Sequence, residues 1–263
     1  MKRLLTMLTL AVVLPVQAED AAARKVLDCM SANVPNKMRA QSIELEATDA
    51  AGTTRTMRGK LYAKRETGGD NAGLMRAMLR INSPDYLAGA SYLVRENRDS
   101  PEDAMYVYLP SVRRARRVSG GFADGSFLGT NLSYNDLRQM FNSFTGSIVT
   151  LEKADKIGER PVHVLHARAA ATDVTYTQSR FWVDQKTCVP LRADFYVGKK
   201  LRKQLSAEPA ALKRSGDFWY FSEAELRDLS DKSRTVVRMA EVSVTPADVA
   251  DRYFNPTSFH YGN

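Results

Sequence analysis

From Ile43 almost to its C-terminus this chain repeats one pattern, in which apolar and polar residues take turns. Ile43, Leu45 and Ala47 alternate with Glu44, Glu46 and Thr48. After a turn at Asp49–Thr53, Met57, Leu61 and Ala63 alternate with Arg58, Lys60 and Lys64. Met75, Ala77, Leu79 and Ile81 then alternate with Arg76, Met78 and Arg80. A period of two puts successive side chains on opposite faces of a strand, so it demands a sheet with one face on a core. The same reading predicts strands over 87–95, 104–109, 148–156, 161–169, 175–184, 188–198, 217–222 and 234–245. The run Val189, Leu191, Ala193, Phe195, Val197 is the cleanest apolar face. Short turns such as Gly158-Glu159-Arg160 separate the strands, as in an antiparallel meander.

Helices are expected at 21–32 and 133–145, with weaker candidates near 201–213, 222–229 and 246–252. Ser133 followed by Asp136 reads as a capping-box start for the second. In that helix Leu137, Met140, Phe141 and Phe144 fall on one stripe, either a lid over a cavity or a plug in the protein's own core. The fold class that results is α+β: a curved antiparallel sheet, a half-open barrel, covered on its concave face by a few helices.

The N-terminus predicts export. Lys2 and Arg3 precede an apolar run, Leu4–Leu14, too short to span a bilayer, and Pro15-Val16-Gln17-Ala18 supplies small residues at a cleavage site. Residues 1–18 are thus expected to be a signal peptide, and 19–263 a single soluble domain in the periplasm. Losing Lys2 and Arg3 lowers the formal charge from +8 to +6. That balance suits an anionic surface or an acidic partner, and nucleic acid is excluded by the compartment. Cys29 and Cys188 lie where disulfides persist. They either bridge the first helix to a late strand or stay as two free thiols.

The segment Met105–Asp136 concentrates unusual features. Arg113, Arg114, Arg116 and Arg117 form a cationic block. On a strand, Arg113 and Arg117 share a face with Ala115, and Arg114 and Arg116 share the other with Val118. Charge on both faces fits an exposed edge, rim or loop. It contacts a headgroup, a membrane or an acidic partner, or it is simply a solvated edge guarded against aggregation. A glycine-rich stretch with Phe122 and Phe127 follows, lacking the Gly-Lys-Ser/Thr of a phosphate loop. Catalysis finds little footing. His163 and His166 point to opposite faces of a strand, Glu44 and Glu46 lie on a polar face, and no metal or other cofactor is expected.

The sequences LPSVRRARRVSGG (109–121) and GSFLGTNLSYNDL (125–137) resemble the outer membrane lipoprotein-sorting protein family of the LolA-like superfamily. The turn Ser83–Gly89 and the closing segment Arg252–Phe259 are similar as well. The resemblance implies a half-barrel with a helical lid around an apolar cavity that shields acyl chains between inner and outer membrane, beside an RND-type exporter and an outer-membrane acceptor. The chain is longer than the lipoprotein carrier proper, and that carrier's gating arginine has no counterpart here. Expected ligand contacts are Leu45, Met57, Leu61, Leu79, Leu137, Met140, Phe141, Phe144 and Phe195, with Phe122 and Phe127 on a glycine-hinged gate and Arg113–Arg117 as the headgroup or partner contact. A docking subunit that carries no cargo, and a periplasmic hydrolase with scattered Ser, His and Asp, are the competing readings.

Overall fold

The computed structural model describes residues 20–97, 104–139, 144, 146–171, 174–244 and 249–261. The expected signal peptide lies outside the described residues, as do Met140 and Phe141. A first helix, α1 (Ala21–Ala32), leads into a meander: β1 (Lys37–Thr48), β2 (Thr54–Arg65), β3 (Met75–Ser83), β4 (Ser91–Arg95), β5 (Ala104–Leu109) and β6 (Arg114–Val118). A long connection containing α2 (Tyr134–Gln139) crosses to a second meander: β7 (Ser147–Ile157), β8 (Arg160–Ala169), β9 (Gln178–Asp184), β10 (Pro190–Val197) and β11 (Lys200–Ser206). A hairpin, β12 (Leu212–Ser215) and β13 (Phe218–Phe221), precedes β14 (Glu223–Asp228) and β15 (Ser233–Ser243).

Thirteen strands form one antiparallel sheet in the order β6-β5-β4-β3-β2-β1-β15-β14-β11-β10-β9-β8-β7, and β12–β13 stands apart as a two-stranded sheet. The large sheet is open, with β6 and β7 as its edges. The alternating pattern explains its inner face. In β1, Ile43, Leu45 and Ala47 are buried while their polar neighbours are half-exposed. Ile43 and Leu45 join Met57, Leu61, Leu79, Tyr92, Val107, Phe195 and Val237 in one core. Helix α1 packs Ala23, Val26 and Met30 into that same core.

The outer face is solvated except over β2–β6. There Tyr62, Met78 and Leu93 pack beneath Val249, Tyr253, Phe254 and Phe259 of the C-terminal segment. Met78, on the polar side of the sequence pattern, is therefore fully buried. Two expected helices are strands. The 222–229 stretch is β14, with Ala224 and Leu226 inward and Glu223, Glu225 and Arg227 outward or half-exposed. The 201–213 stretch holds β11 and the start of the hairpin. Both segments are rich in helix formers, but a neighbouring strand edge and the period-two burial outweigh weak local propensity. Of the candidate at 246–252, only residues 249–252 are described, and Asp251–Phe254 forms a short 3-10 turn.

Cys29 and Cys188 form a disulfide, with Cα atoms 5.8 Å apart and 159 positions between them in sequence. Across the seam between the two meanders, the Arg238 guanidinium donates to Glu223 at 2.7 Å and to Glu44 and Glu46 at 3.1 Å each. Hydrogen bonds to these carboxylates, that to Glu223 first, raise the Arg238 pKa and keep it charged.

Two stability outcomes follow. Arg238→Ala is expected to lower the unfolding free energy by about 1 kcal/mol, with a smaller difference at high salt, because the partners are partly exposed. Urea titrations of both proteins at two salt concentrations measure it. Cys29→Ser with Cys188→Ser is expected to cost about 2–5 kcal/mol, the range for releasing so long a loop.

Candidate functional site

The concave side of the sheet holds an apolar cavity of about 160 Å³. Its floor is made by inward residues of the first meander and of β15: Leu45, Leu61, Leu79 and Val237. Met30 of α1 and Leu137 of α2 reach it from the helices, and Cys188 from the β9–β10 turn. Its remaining wall is the hairpin, through Phe218, Trp219, Tyr220 and Phe221. These four aromatics are all half-buried.

The hairpin touches the rest of the molecule through few polar bonds. The carboxamide of Asn33, at the C-terminal end of α1, donates to the Trp219 carbonyl at 2.9 Å and accepts from the Trp219 N–H at 2.8 Å. The Ser215 hydroxyl donates to the Val242 carbonyl at 2.9 Å. The chain re-enters the large sheet at Ser222, whose carbonyl accepts from Met239. Helix α1 is fixed by more. Asp20 caps its N-terminus, accepting from Ala22 and Ala23, and also accepts from the Leu151 N–H of β7 at 2.7 Å. The bond from Leu151, then that from Ala23, lowers the Asp20 pKa. The disulfide pins the same helix to the β9–β10 turn.

The glycine-rich loop is anchored rather than loose. Ser133 and Asp136 form the expected capping box: the Ser133 N–H donates to Asp136 at 2.7 Å, and the Asp136 N–H to the Ser133 hydroxyl at 3.0 Å. The buried Asp136 carboxylate also accepts from Lys203 Nζ and from the Tyr176 hydroxyl, each at 2.6 Å. Lys203 donates in turn to the Asn131 carbonyl at 2.7 Å. Burial, then the neighbouring Asp136 charge, pushes the Tyr176 hydroxyl far above its ordinary pKa, so it stays a donor. One buried cluster thereby ties the loop and α2 to β11. Neither Lys203 nor Tyr176 carries a sequence signal for this role, because each comes from a segment remote from Asp136.

The sequence-predicted ligand residues fall into three groups. Leu45, Leu61, Leu79 and Leu137 line the cavity. Met57, Phe127 and Phe195 are buried in the surrounding core. Phe127 is held there by Tyr92 and Tyr134, ring centroids 5.8 and 5.7 Å away, so it anchors the loop. Phe122 is 47% exposed, its ring over Tyr134, and Phe144 packs edge-on to Phe181. The aromatic run 218–221 was read as a strand only. Four consecutive aromatics leave a strand no polar face, and that was the available signal for a site.

Arg113, Arg114, Arg116 and Arg117 are exposed on and beside the edge strand β6. Register with β5 sets Arg114 and Arg116 opposite Leu109 and Val107, whose face is the main core, and Arg117 opposite Tyr106, on the outer face. Among the described residues, no group of His, Cys, Asp and Glu could hold a metal ion. His166 bonds Gln178 at 2.9 Å, and Glu44 and Glu46 are engaged by Arg238. No helix of the described residues is long and apolar enough to cross a membrane.

A protein-family model described as "-like: Uncharacterized protein" matches residues 73–260. No curated protein matches. Among solved structures, a DUF1329 family protein from Desulfovibrio piger is similar with a TM-score of 0.77 and 21% identity, over 89% of this chain and 97% of that one. A domain named for outer membrane lipoprotein sorting, from Vibrio parahaemolyticus, has a TM-score of 0.77 and 20% identity, over 91% and 100%. A LolA superfamily protein from Nitrosomonas europaea has a TM-score of 0.66 and 18% identity, over 89% and 97%.

The buried cluster allows a sharp stability test. Asp136→Asn strands the Lys203 ammonium and is expected to cost about 3–5 kcal/mol. The double change Asp136→Asn with Lys203→Met is expected to cost less than the single one, because no buried charge is left alone. Denaturant titrations of the two variants compare them.

Proposed function

This chain belongs to the family whose model spans residues 73–260 and has the fold of the LolA superfamily; on that premise we propose that it is a periplasmic carrier, not an enzyme. Its cargo is the acyl part of a lipid or lipoprotein, held in the apolar cavity and moved between inner and outer membrane beside an RND-type exporter. The observation that carries this reading is an apolar cavity whose one wall is a separable hairpin of aromatics. A neighbour of the same fold whose name speaks of lipoprotein sorting supports it.

Leu45, Leu61, Leu79 and Leu137 contact the chain directly. Met57, Phe127 and Phe195 back the wall. By sequence spacing, Met140, Phe141 and Phe144 follow Leu137 as further proposed contacts, with Phe122 as part of the proposed gate. Each methylene that leaves water contributes roughly 0.8 kcal/mol. A volume of about 160 Å³ admits only part of an acyl chain, since an apolar cavity of about 150 Å³ holds a guest the size of benzene. Loading therefore needs the hairpin to lift. Two hydrogen bonds to Asn33 and one from Ser215 to Val242 hold it down, few enough to break and remake. Arg113–Arg117 face the donor or acceptor. A docking subunit without cargo is the competing reading, favoured by the small volume of the cavity.

The test uses Trp219 as a reporter. The chain has two tryptophans, so Trp182→Phe leaves Trp219 alone in the cavity wall. A doxyl-labelled fatty acid is expected to quench it saturably, and native mass spectra of the protein isolated under mild conditions to carry a stoichiometric amphiphile. No quenching and a clean apo mass would favour the docking-subunit reading. Ala77→Met, which fills the cavity from its floor, is expected to weaken fatty-acid binding roughly tenfold while the fold is kept. Asn33→Ala is expected to speed uptake several-fold by removing the latch on the hairpin, read by stopped-flow quenching of the same tryptophan.

A further inference from the structure

The two edges of the open sheet are treated differently. At β7 the pairing with β8 slips between Glu152 and Asp155, and the Leu151 N–H is taken by Asp20 ahead of α1. A bulge and a capped amide are ways of blunting an edge. At β6 neither is found. The strand pairs with β5 alone, in unbroken register from Leu109↔Arg114 to Met105↔Val118. Among the described residues no group bonds its outer side.

The side chains of this edge are as unusual as its backbone. Arg113, Arg114, Arg116 and Arg117 are exposed and form no ion pair with any described residue, whereas Arg58, Arg160, Arg192, Arg202 and Arg238 each do. The cations project from both faces of one short strand. Exposed apolar residues flank it, Val112 before it at 51% and Phe122 after it at 47%. A second copy of this chain is a poor occupant, because edge-to-edge pairing would oppose arginine to arginine.

We propose that β6 is a docking strand, to which an extended acidic segment of a partner protein adds as a further strand of the sheet. The partner's backbone bonds the free side of β6, giving affinity through main-chain hydrogen bonds. Its alternate carboxylates meet Arg114 and Arg116 on the core side, which sets register, and the positive charge of Arg117 on the outer side adds to the attraction that speeds encounter. Apolar residues at the two ends of the segment cover Val112 and Phe122. This docking is independent of whether the cavity carries cargo.

The experiment uses fluorescein-labelled peptides and fluorescence anisotropy on the whole mature protein. An alternating glutamate–valine peptide is expected to bind, and to lose roughly tenfold in affinity on going from dilute buffer to about 0.5 M salt. The double variant Arg116→Glu with Arg117→Glu, whose side chains are exposed, is expected to bind it at least about tenfold more weakly with an unchanged thermal melt. An alternating lysine–valine peptide is expected not to bind. A glutamate peptide of equal charge interrupted by prolines, which cannot add as a strand, is expected to bind much more weakly. Equal affinity for the proline-interrupted peptide would overturn strand addition. Absence of peptide binding would overturn the proposal, whether the arginines then prove to bind phosphatidylglycerol vesicles or only to guard the edge. Hydrogen exchange at 114–118, slowed by the peptide, would support it directly.

Discussion

The architecture depends on a single pairing, β1 against β15. The first meander, β1 to β6, and the second, built from β7 to β11 with β14, have no other hydrogen-bonded junction in the sheet. Register from Arg39↔Ser243 to Thr48↔Arg234 joins the beginning of the domain to its end. Loop-closure entropy makes such a junction slow and costly to form. The outer face of the seam is correspondingly held by charge, with Arg238 gathering carboxylates from β1 and β14. The inner face is held by Leu45 and Val237, which also floor the cavity. The strand pair that completes the sheet is thus the one that creates the space inside it.

Helix α1 gives this open sheet a second closure. A curved sheet with free edges can flatten, and the twist alone does not fix its curvature. The helix spans the concavity and is attached near both ends, by Asp20 to Leu151 on the far edge and by Cys29 to Cys188 between β9 and β10. Asn33, just past its C-terminal end, grips the hairpin. One short helix therefore ties the second meander and the hairpin together. Buried Asp136 does the equivalent for the long crossover, binding Tyr176 and Lys203 from 40 and 67 residues further along the chain.

Much of this was legible in the sequence, and the failures have physical causes. Period two exposed the strands β1 to β5 and β7 to β10 and the core positions Leu45, Leu61 and Leu79, since each local pattern is decided by one buried face. Ser133 and Asp136 were readable as a cap because the interaction is closed within four residues. The β14 segment was misread as helix because Ala, Glu and Leu favour helix in isolation, and only the neighbouring strands reveal the alternation as dominant. Met78 appeared solvent-facing because the tail that covers it lies more than 170 residues later. The arginine block fitted an exposed edge, a rim or a loop, and β6 is the first of these. The cavity cover escaped because its meaning rests on where the hairpin lands, which no local pattern states. The same holds for Asn33, an ordinary helix-ending residue until Trp219 is brought beside it.

Rigidity and looseness are unevenly distributed around the cavity. The floor and rim are continuous sheet, bonded strand to strand and braced by a disulfide, a buried ion pair and a packed C-terminal tail. The hairpin has no strand neighbour in the large sheet, leaves each aromatic only partly buried, and is held at its aromatic strand by one side chain's two hydrogen bonds. Segments with few buried contacts and few bonds open at lower free energy than the elements around them. On the proposed carrier reading, closing the aromatics over an acyl chain would bury more of their surface than closing them over an empty cavity. A polar latch of two bonds adds direction without much strength, so that the hairpin returns to one position instead of collapsing onto the floor.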